Sequence, residues 1–546
     1  MLLGLSAFSA LAQGYKDGIE FYNVEDYTNA EELLQRNLNA AGTDKALSYY
    51  YLGQINLHYG RWSKDTSAKT KYLADAKSYF DKGIAANPAC AYNYVGLGGM
   101  ALLKGDLKGA EAQFKLAEKN AKKDSGVASA IAREYYDANP TTYAKQIAKY
   151  IETAGKWNKN DATRFILQGD MEADKSQWSK SAEFYEQALY FDNDNIEAQI
   201  KNAKTYRTVN PGYTTQLLEG LLQQHPTSAI VQRQLAENYT TNRAYDKAIN
   251  IYSTLVENPN HFVQDEVRYT NLLLFNNRAE DALASARALD AKSDDGSNGK
   301  FIANRFIFYS LAQLQRWDEA VAAGKKFFDL SATSTDYIER DYSTYCNVLT
   351  SAGNTAEALS TLKNAVEIFP ENVDFKRMLG NSYYSNDNYD AAIETLLPLA
   401  TGDKANYSDF YSLGRCYFWK ANSQEGEAKD ASIRSAVQWF DRAIELDGTN
   451  INALYFKART LKAKYGTQMN IEAFNAFNDA VNLADSKVRE GSDKNKYKSV
   501  YIDGYNYMGL YYLQQGDKAN AKMYLQKQLD FDPEASRMER VACYRK

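Results

Sequence analysis

The sequence predicts an all-α solenoid of antiparallel helix pairs, and three observations carry that reading. First, one pattern of apolar and small residues returns along the chain with a period of roughly 34 residues. Leu235, Ala236 and Tyr239 precede Tyr245, Ala248, Tyr252, Leu255 and Val256; Cys346 and Leu349 precede Ala358, Leu362, Ala365 and Val366; Leu379, Gly380 and Tyr383 precede Tyr389, Ala392, Leu396 and Leu399. Second, the two halves of a unit are divided by turn residues, often glycine, as at Gly105, Gly353 and Gly516. Third, Pro88, Pro259, Pro370 and Pro533 follow the second half of their units. Proline cannot continue a helix and pushes the residue before it out of helical geometry, so these positions end each pair.

Composition narrows the class further. The chain has 546 residues, 45% of them hydrophobic, which suffices for packing. Mean hydropathy is −0.57. No apolar stretch reaches the roughly 20 residues that span a bilayer, so no transmembrane segment is expected in the mature chain. The formal net charge is −5 with 24% charged residues. A surface of mixed sign offers no basic footprint for nucleic acid. The 43 tyrosines suit an array in which a ring fills the gap between helices and its hydroxyl stays at the wet edge. Cys90, Cys346, Cys416 and Cys543 have no paired spacing and read as free thiols used as small hydrophobes.

In chain order, residues 1–12 come first. Leu2 to Leu11 is a short apolar run, and Ala10, Leu11 and Ala12 place small residues three and one before Gln13. This fits a secretory signal peptide cut before Gln13, although no Lys or Arg precedes the run. Residues 13–290 read as an N-terminal array, with weaker units at 125–156, 197–226 and 262–289. Residues 291–300 (AKSDDGSNGK) form a polar break without apolar periodicity, expected to separate two halves. They lack the alternating acidic ligands and terminal Glu of a calcium loop. Residues 301–546 read as a C-terminal array. Polar insertions at 62–73 and 420–432 are expected as longer turns or extra helical turns, with a lid as the alternative; residues 485–498 read as a solvated extension.

Within each unit the first helix carries an aromatic, a leucine, a small residue and a second aromatic on one face. Phe410, Leu413, Gly414 and Tyr417 show it, as do Tyr94, Leu97 and Gly98. The second helix answers with an alanine, a large apolar residue and further small residues, as in Ala110, Phe114 and Ala117 or Ala436, Phe440 and Ala443. These residues in this order resemble the tetratricopeptide repeat family over nearly the whole mature chain, in about thirteen units, and resemble its exported bacterial arrays in particular. The resemblance implies a right-handed superhelix whose inner wall is made by the first helices. It implies that ligand contacts come from their unpacked faces. On that basis Arg377, Asn381 and Tyr384 of one first helix, with Tyr411, Arg415 and Phe418 of the next, are the candidate partner-binding residues. Arg and Tyr are the types enriched where partners dock. The chaperone-tail clamp of some family members is not reproduced, because Ser412, Asn452 and Phe456 stand where its further polar residues would be.

Catalytic groups are not in evidence. The three histidines, His58, His225 and His261, have no Cys, Asp or Glu at ligand spacing, and no nucleophile stands with a base. Gly96, Gly98 and Gly99 fall inside a first helix, where they permit close packing. The expected function is therefore a noncatalytic scaffold, without cofactor or metal. It would hold a peptide, a protein or an envelope-complex component in a concave groove, in the bacterial periplasm or outside the cell. The rival expectation is an accessory protein that captures a solute or glycan on a row of exposed tyrosines.

Overall fold

The computed structural model describes residues 14–330 and 336–531. The expected leader at 1–12, Pro533 and Cys543 lie outside the described residues. Internal contacts divide the chain into two compact units, Met1–Gln313 and Leu314–Lys546. Among the described residues every regular element is helical.

In the first unit the order is α1 (14–23), α2 (Tyr27–Asn37), α3 (Lys45–Trp62), α4 (Thr66–Ala86), α5 (Ala91–Leu103), α6 (Leu107–Ala121), α7 (Ser125–Ala138), α8 (Ala144–Trp157) and α9 (Ala162–Ala173). Then follow α10 (Trp178–Phe191), α11 (Ile196–Tyr206), α12 (Pro211–Gln224), α13 (Ala229–Thr241), α14 (Tyr245–Leu255), α15 (Val263–Phe275), α16 (Ala279–Lys292) and α17 (Asn298–Gln313). The second unit has α18 (Trp317–Phe328), α19 (Glu339–Ser351), α20 (Thr355–Ile368), α21 (Val373–Ser385), α22 (Tyr389–Ala400) and α23 (Tyr407–Asn422). It ends with α24 (Gly426–Leu446), α25 (Ile451–Tyr465), α26 (Ile471–Arg489), a 3₁₀ turn Lys494–Tyr497, α27 (Lys498–Gln514) and α28 (Lys518–Leu529).

About half of the helices start where a short polar side chain accepts from an orphan backbone N–H. Asp106 accepts from Gly109 N at 2.8 Å, and Asp44 from Leu47 N at 3.0 Å. Such caps contribute about 1 kcal/mol each. The turn inside a pair needs a left-handed residue. Gly105 and Gly353 supply it at φ +75° and +81°, while Arg243 and Asp387 hold the same conformation without glycine's freedom.

Pairing follows from small residues on first helices facing large ones on second helices. Gly98 lies against the Phe114 ring and Gly414 against the Phe440 ring. In the first unit Gly53 meets Phe80 while Gly60 meets Leu73, a reversed order that makes α3 and α4 antiparallel. The residues that set the sequence pattern are the core: Ala110, Phe114, Ala117, Ala248, Ala392, Ala436 and Phe440 are all fully buried. Cys346 and Cys416 are buried as small hydrophobes, and burial pushes both thiols up to about 12.

The insertions lengthen helices and form no separate lid. α4 and α24 each reach 21 residues. The polar segment 291–300, expected as the divide, is instead the end of α16, a short turn and the start of α17. Those helices pack together, with Asn304 Nδ2 donating to Asp290 Oδ1 at 2.7 Å and Lys300 Nζ to the Asp290 carbonyl at 2.9 Å. Its charges serve to tie the turn.

Candidate partner-binding site

Three successive first helices of the second unit, α21, α23 and α25, carry the candidate site. Each presents a polar residue just after the small residue at its helix crossing: Gly380–Asn381, Gly414–Arg415 and Ala458–Arg459. Because the small residue faces the partner helix, its successor is rotated about 100° around the helix, off the packed face. Asn381, Arg415 and Arg459 therefore form a row across the three helices.

Arg415 is held by rings. Its guanidinium carbon lies 4.2 Å from the Tyr384 ring centroid, 5.6 Å from Tyr411 and 5.9 Å from Phe456. Its Nε donates to the Tyr384 hydroxyl at 3.1 Å. Arg459 sits 5.2 Å from Phe456, 5.3 Å from Phe418 and 5.6 Å from Tyr455. Phe456 is thus shared between the two cations. Among the described residues neither guanidinium pairs with a carboxylate. Stacking fixes each planar fork at about 0.5–2 kcal/mol per contact and leaves N–H donors for a charge-assisted, bidentate acceptor.

The other expected residues divide. Tyr384 and Tyr411 belong to the cluster, and Tyr411 also stacks on Tyr407 at 5.8 Å. Burial raises the Tyr411 hydroxyl's pKa, so it stays a neutral donor. Asn381 is exposed and accepts from Ser412 Oγ at 3.3 Å. Arg377 is not a free fork. It donates through Nε and Nη2 to both oxygens of Asp409, at 2.8 and 3.0 Å, and through Nη1 to Asp374 at 2.9 Å. It clamps α21 to α23. Phe418 is 5% exposed and packs in the core with Ala436 and Phe440, meeting the site through Phe456, edge-on at 5.8 Å, and through its face toward Arg459. Arg459 and Phe456 were missed as site residues by sequence reading; the position after the small crossing residue was the available signal for Arg459.

First-helix cations of the first unit contrast with these. Arg61 pairs with Glu134 and Asp137, Arg233 with Asp265, and Arg133 and Lys201 both with Asp170. Burial alone would raise Asp170, but Lys201 and Arg133 hold it down at about 2. These charges are consumed within the chain.

Among the described residues no group of three His, Cys, Asp or Glu could hold a metal ion. No described helix is long and apolar enough to cross a membrane. His261 bridges the Asn258 carbonyl and Glu266, a capping role. Exposed rings are scattered: Trp62 on α3, Trp178 and Tyr190 on α10, Phe275 on α15. They make no row.

Tetratricopeptide repeat models match residues 73–125, 349–418 and 502–534; the second segment contains all six expected site residues. No curated protein matches the chain. Among solved structures, the C-terminal part of a TPR repeat-containing protein from Cytophaga hutchinsonii is 20% identical, covering 51% of this chain and 99% of its own, with TM-score 0.42. The APC/C hetero-tetramer Cut9–Hcn1 is 12% identical over 92% of this chain and 98% of its own, with TM-score 0.32. YrrB, described as a TPR protein with an unusual peptide-binding site, is 18% identical over 40% and 93%, with TM-score 0.28. The three matched segments carry the tetratricopeptide repeat pattern, and the helix pairs between them continue the same all-α array.

Proposed function

We propose that the protein is a noncatalytic scaffold that holds a peptide or protein partner, anchored on the α21–α23–α25 row of the second unit. The observation that carries this is the pair Arg415 and Arg459: two cations stacked among Tyr384, Tyr411 and Phe456, with no carboxylate of their own. Such a constellation accepts an acidic side chain or a terminal carboxylate, while the rings supply area. A folded chain gains little by gathering two unpaired cations within reach of one ring unless a counter-charge arrives. The solute-capturing alternative needs a row of exposed rings, and the most exposed ones are spread over α3, α10 and α15.

The test uses a partner identified by crosslinking and mass spectrometry from envelope extracts. Arg415→Ala and Arg459→Ala should each weaken that complex by more than about 1 kcal/mol, a tenfold change being 1.4. Helicity should be preserved, because neither guanidinium is part of the interhelix core. Unchanged affinity in both variants would move the site elsewhere. We further propose that this scaffold acts in the bacterial envelope or outside the cell, on the strength of Ala10-Leu11-Ala12 before Gln13. Amino-terminal sequencing of the exported product should begin at Gln13; a cytoplasmic product retaining Met1 would refute it.

A further inference from the structure

Repeats in a solenoid touch their neighbours and little else. α1 departs from this. Asp17 Oδ2 accepts from Asn260 Nδ2 at 2.6 Å, across 243 residues. Glu20 Oε2 accepts from Ser228 Oγ at 2.9 Å, and the Val24 carbonyl from Lys204 Nζ at 3.3 Å. The Phe21 ring meets Phe262 edge-on at 5.4 Å, with the Arg233 guanidinium 5.3 Å from one ring and 4.7 Å from the other. Just past α1, Asp26 lies 3.5 Å from Arg233 Nη1, while the other Nη binds Asp265.

Asp17, Glu20, Phe21 and Val24 stand at i, i+3, i+4 and i+7, one face of a helix. Asp17, Phe21 and Val24 are buried. That face turns away from α2, which packs through Gly18 against Leu34. The wall it meets is donor-rich: Lys204 on α11, Ser228 and Arg233 at the start of α13, Asn260 just before α15, and Phe262 as the apolar floor. These four contacts run from a donor on the wall to an acceptor on α1 or just after it, at Val24 and Asp26. This is the helix-in-groove mode of recognition, carried out within one chain.

We propose that the face formed by α11, α13 and the segment entering α15 is a docking surface for an acidic, aromatic helix, and that α1 is its built-in occupant. An external helix with acidic residues at i and i+3, an aromatic at i+4 and an aliphatic at i+7 competes for the same surface. The surface is separate from the Arg415–Arg459 row, so either can fail alone.

The experiment keeps the full chain. A protease site is placed in the α2–α3 connection, residues 38–44, and cut after folding. A labelled synthetic peptide of residues 14–37 should then exchange into the cut protein and saturate. Arg233→Ala and Lys204→Ala should each weaken uptake, the former at least tenfold. A peptide with Phe21→Ala and Glu20→Ala should fail to compete. In the uncut chain, hydrogen exchange of Phe21→Ala should rise at residues 228–233 and 258–266 as well as along α1. The proposal is overturned if the cut protein loses the helicity of its first unit, if uptake is indifferent to Arg233, or if the added exchange stays within α1–α4.

Discussion

A Cβ added at Gly414 would lie 2.5 Å from Phe440 Cε1, and Phe440 is fully buried with nowhere to retreat. Two effects of Gly414→Ala oppose each other. Helix propensity favours alanine by about 1 kcal/mol. Overpacking costs about 1–3 kcal/mol, and against a ring clamped on all sides the upper part of that range applies. Gly414→Ala should therefore destabilise the α23–α24 pair, read as faster hydrogen exchange there with little change in the first unit. The direction of this clash was legible in the sequence, because small-facing-large recurs at fixed spacing. What was not legible is which arginine is already neutralised. Arg377 and Arg415 occupy first helices alike, yet Asp409 claims one and rings hold the other. That difference depends on the offset between adjacent repeats, which no single unit encodes. Phe418 misled for a related reason: the same helical turn faces both the groove and the core.

Between elements, an Asp in the first turn of a first helix does two jobs. Asp265 accepts from the Phe262 N–H at 2.9 Å and from Arg233 Nη2 at 2.6 Å. Asp409 accepts from the Asn406 N–H at 3.1 Å and from Arg377, the pair again separated by 32 residues. Each carboxylate caps its own helix and ties it to the preceding first helix. The energetic weight differs because the arginines do. Arg233 is 2% exposed and Arg377 20%. Removing one partner of a buried pair costs about 3–5 kcal/mol, since the other is left uncompensated. Asp265→Ala should reach that range, with Asp26 a weak substitute at 3.5 Å. Asp409→Ala should cost less, because Arg377 keeps Asp374 and reaches water. Urea unfolding followed by exchange in each unit should give this order; equal losses would contradict it. Helix existence and pairing were readable from period and residue type. These long clamps were not, because an Arg–Asp spacing of 32 carries no local signal.

At the largest scale, the second unit stacks helix on neighbouring helix, whereas the first also joins its beginning to its sixth, seventh and eighth pairs through α1 and the residues just after it. That closure contains a titrating group. Burial, and then the charge of Asp17, raise the Glu20 carboxyl from 4.5 to about 7, against the Ser228 hydrogen bond and Lys16. Between those two values the folded state holds a proton that the unfolded chain releases. Stability linked to Glu20 is therefore greatest below about 4.5, falls as pH rises through 7, and is level above. Asp170 acts oppositely and elsewhere: held at about 2, its contribution is lost only as pH falls below the ordinary carboxylate range. Between pH 5.5 and 8 the Asp170 contribution is constant. Glu134, raised to about 7 by burial against the pull of Arg61, is common to both proteins in a wild-type versus Glu20→Gln comparison and cancels. Glutamine keeps an oxygen for Ser228 and cannot ionise. The wild-type urea midpoint for protection of residues 14–37 should drop between pH 5.5 and 8. In Glu20→Gln that drop should shrink while the midpoint at pH 8 rises. An identical pH response in the two proteins would mean that Glu20 stays ionised in its seat, and that Ser228 and solvent suffice to hold the charge.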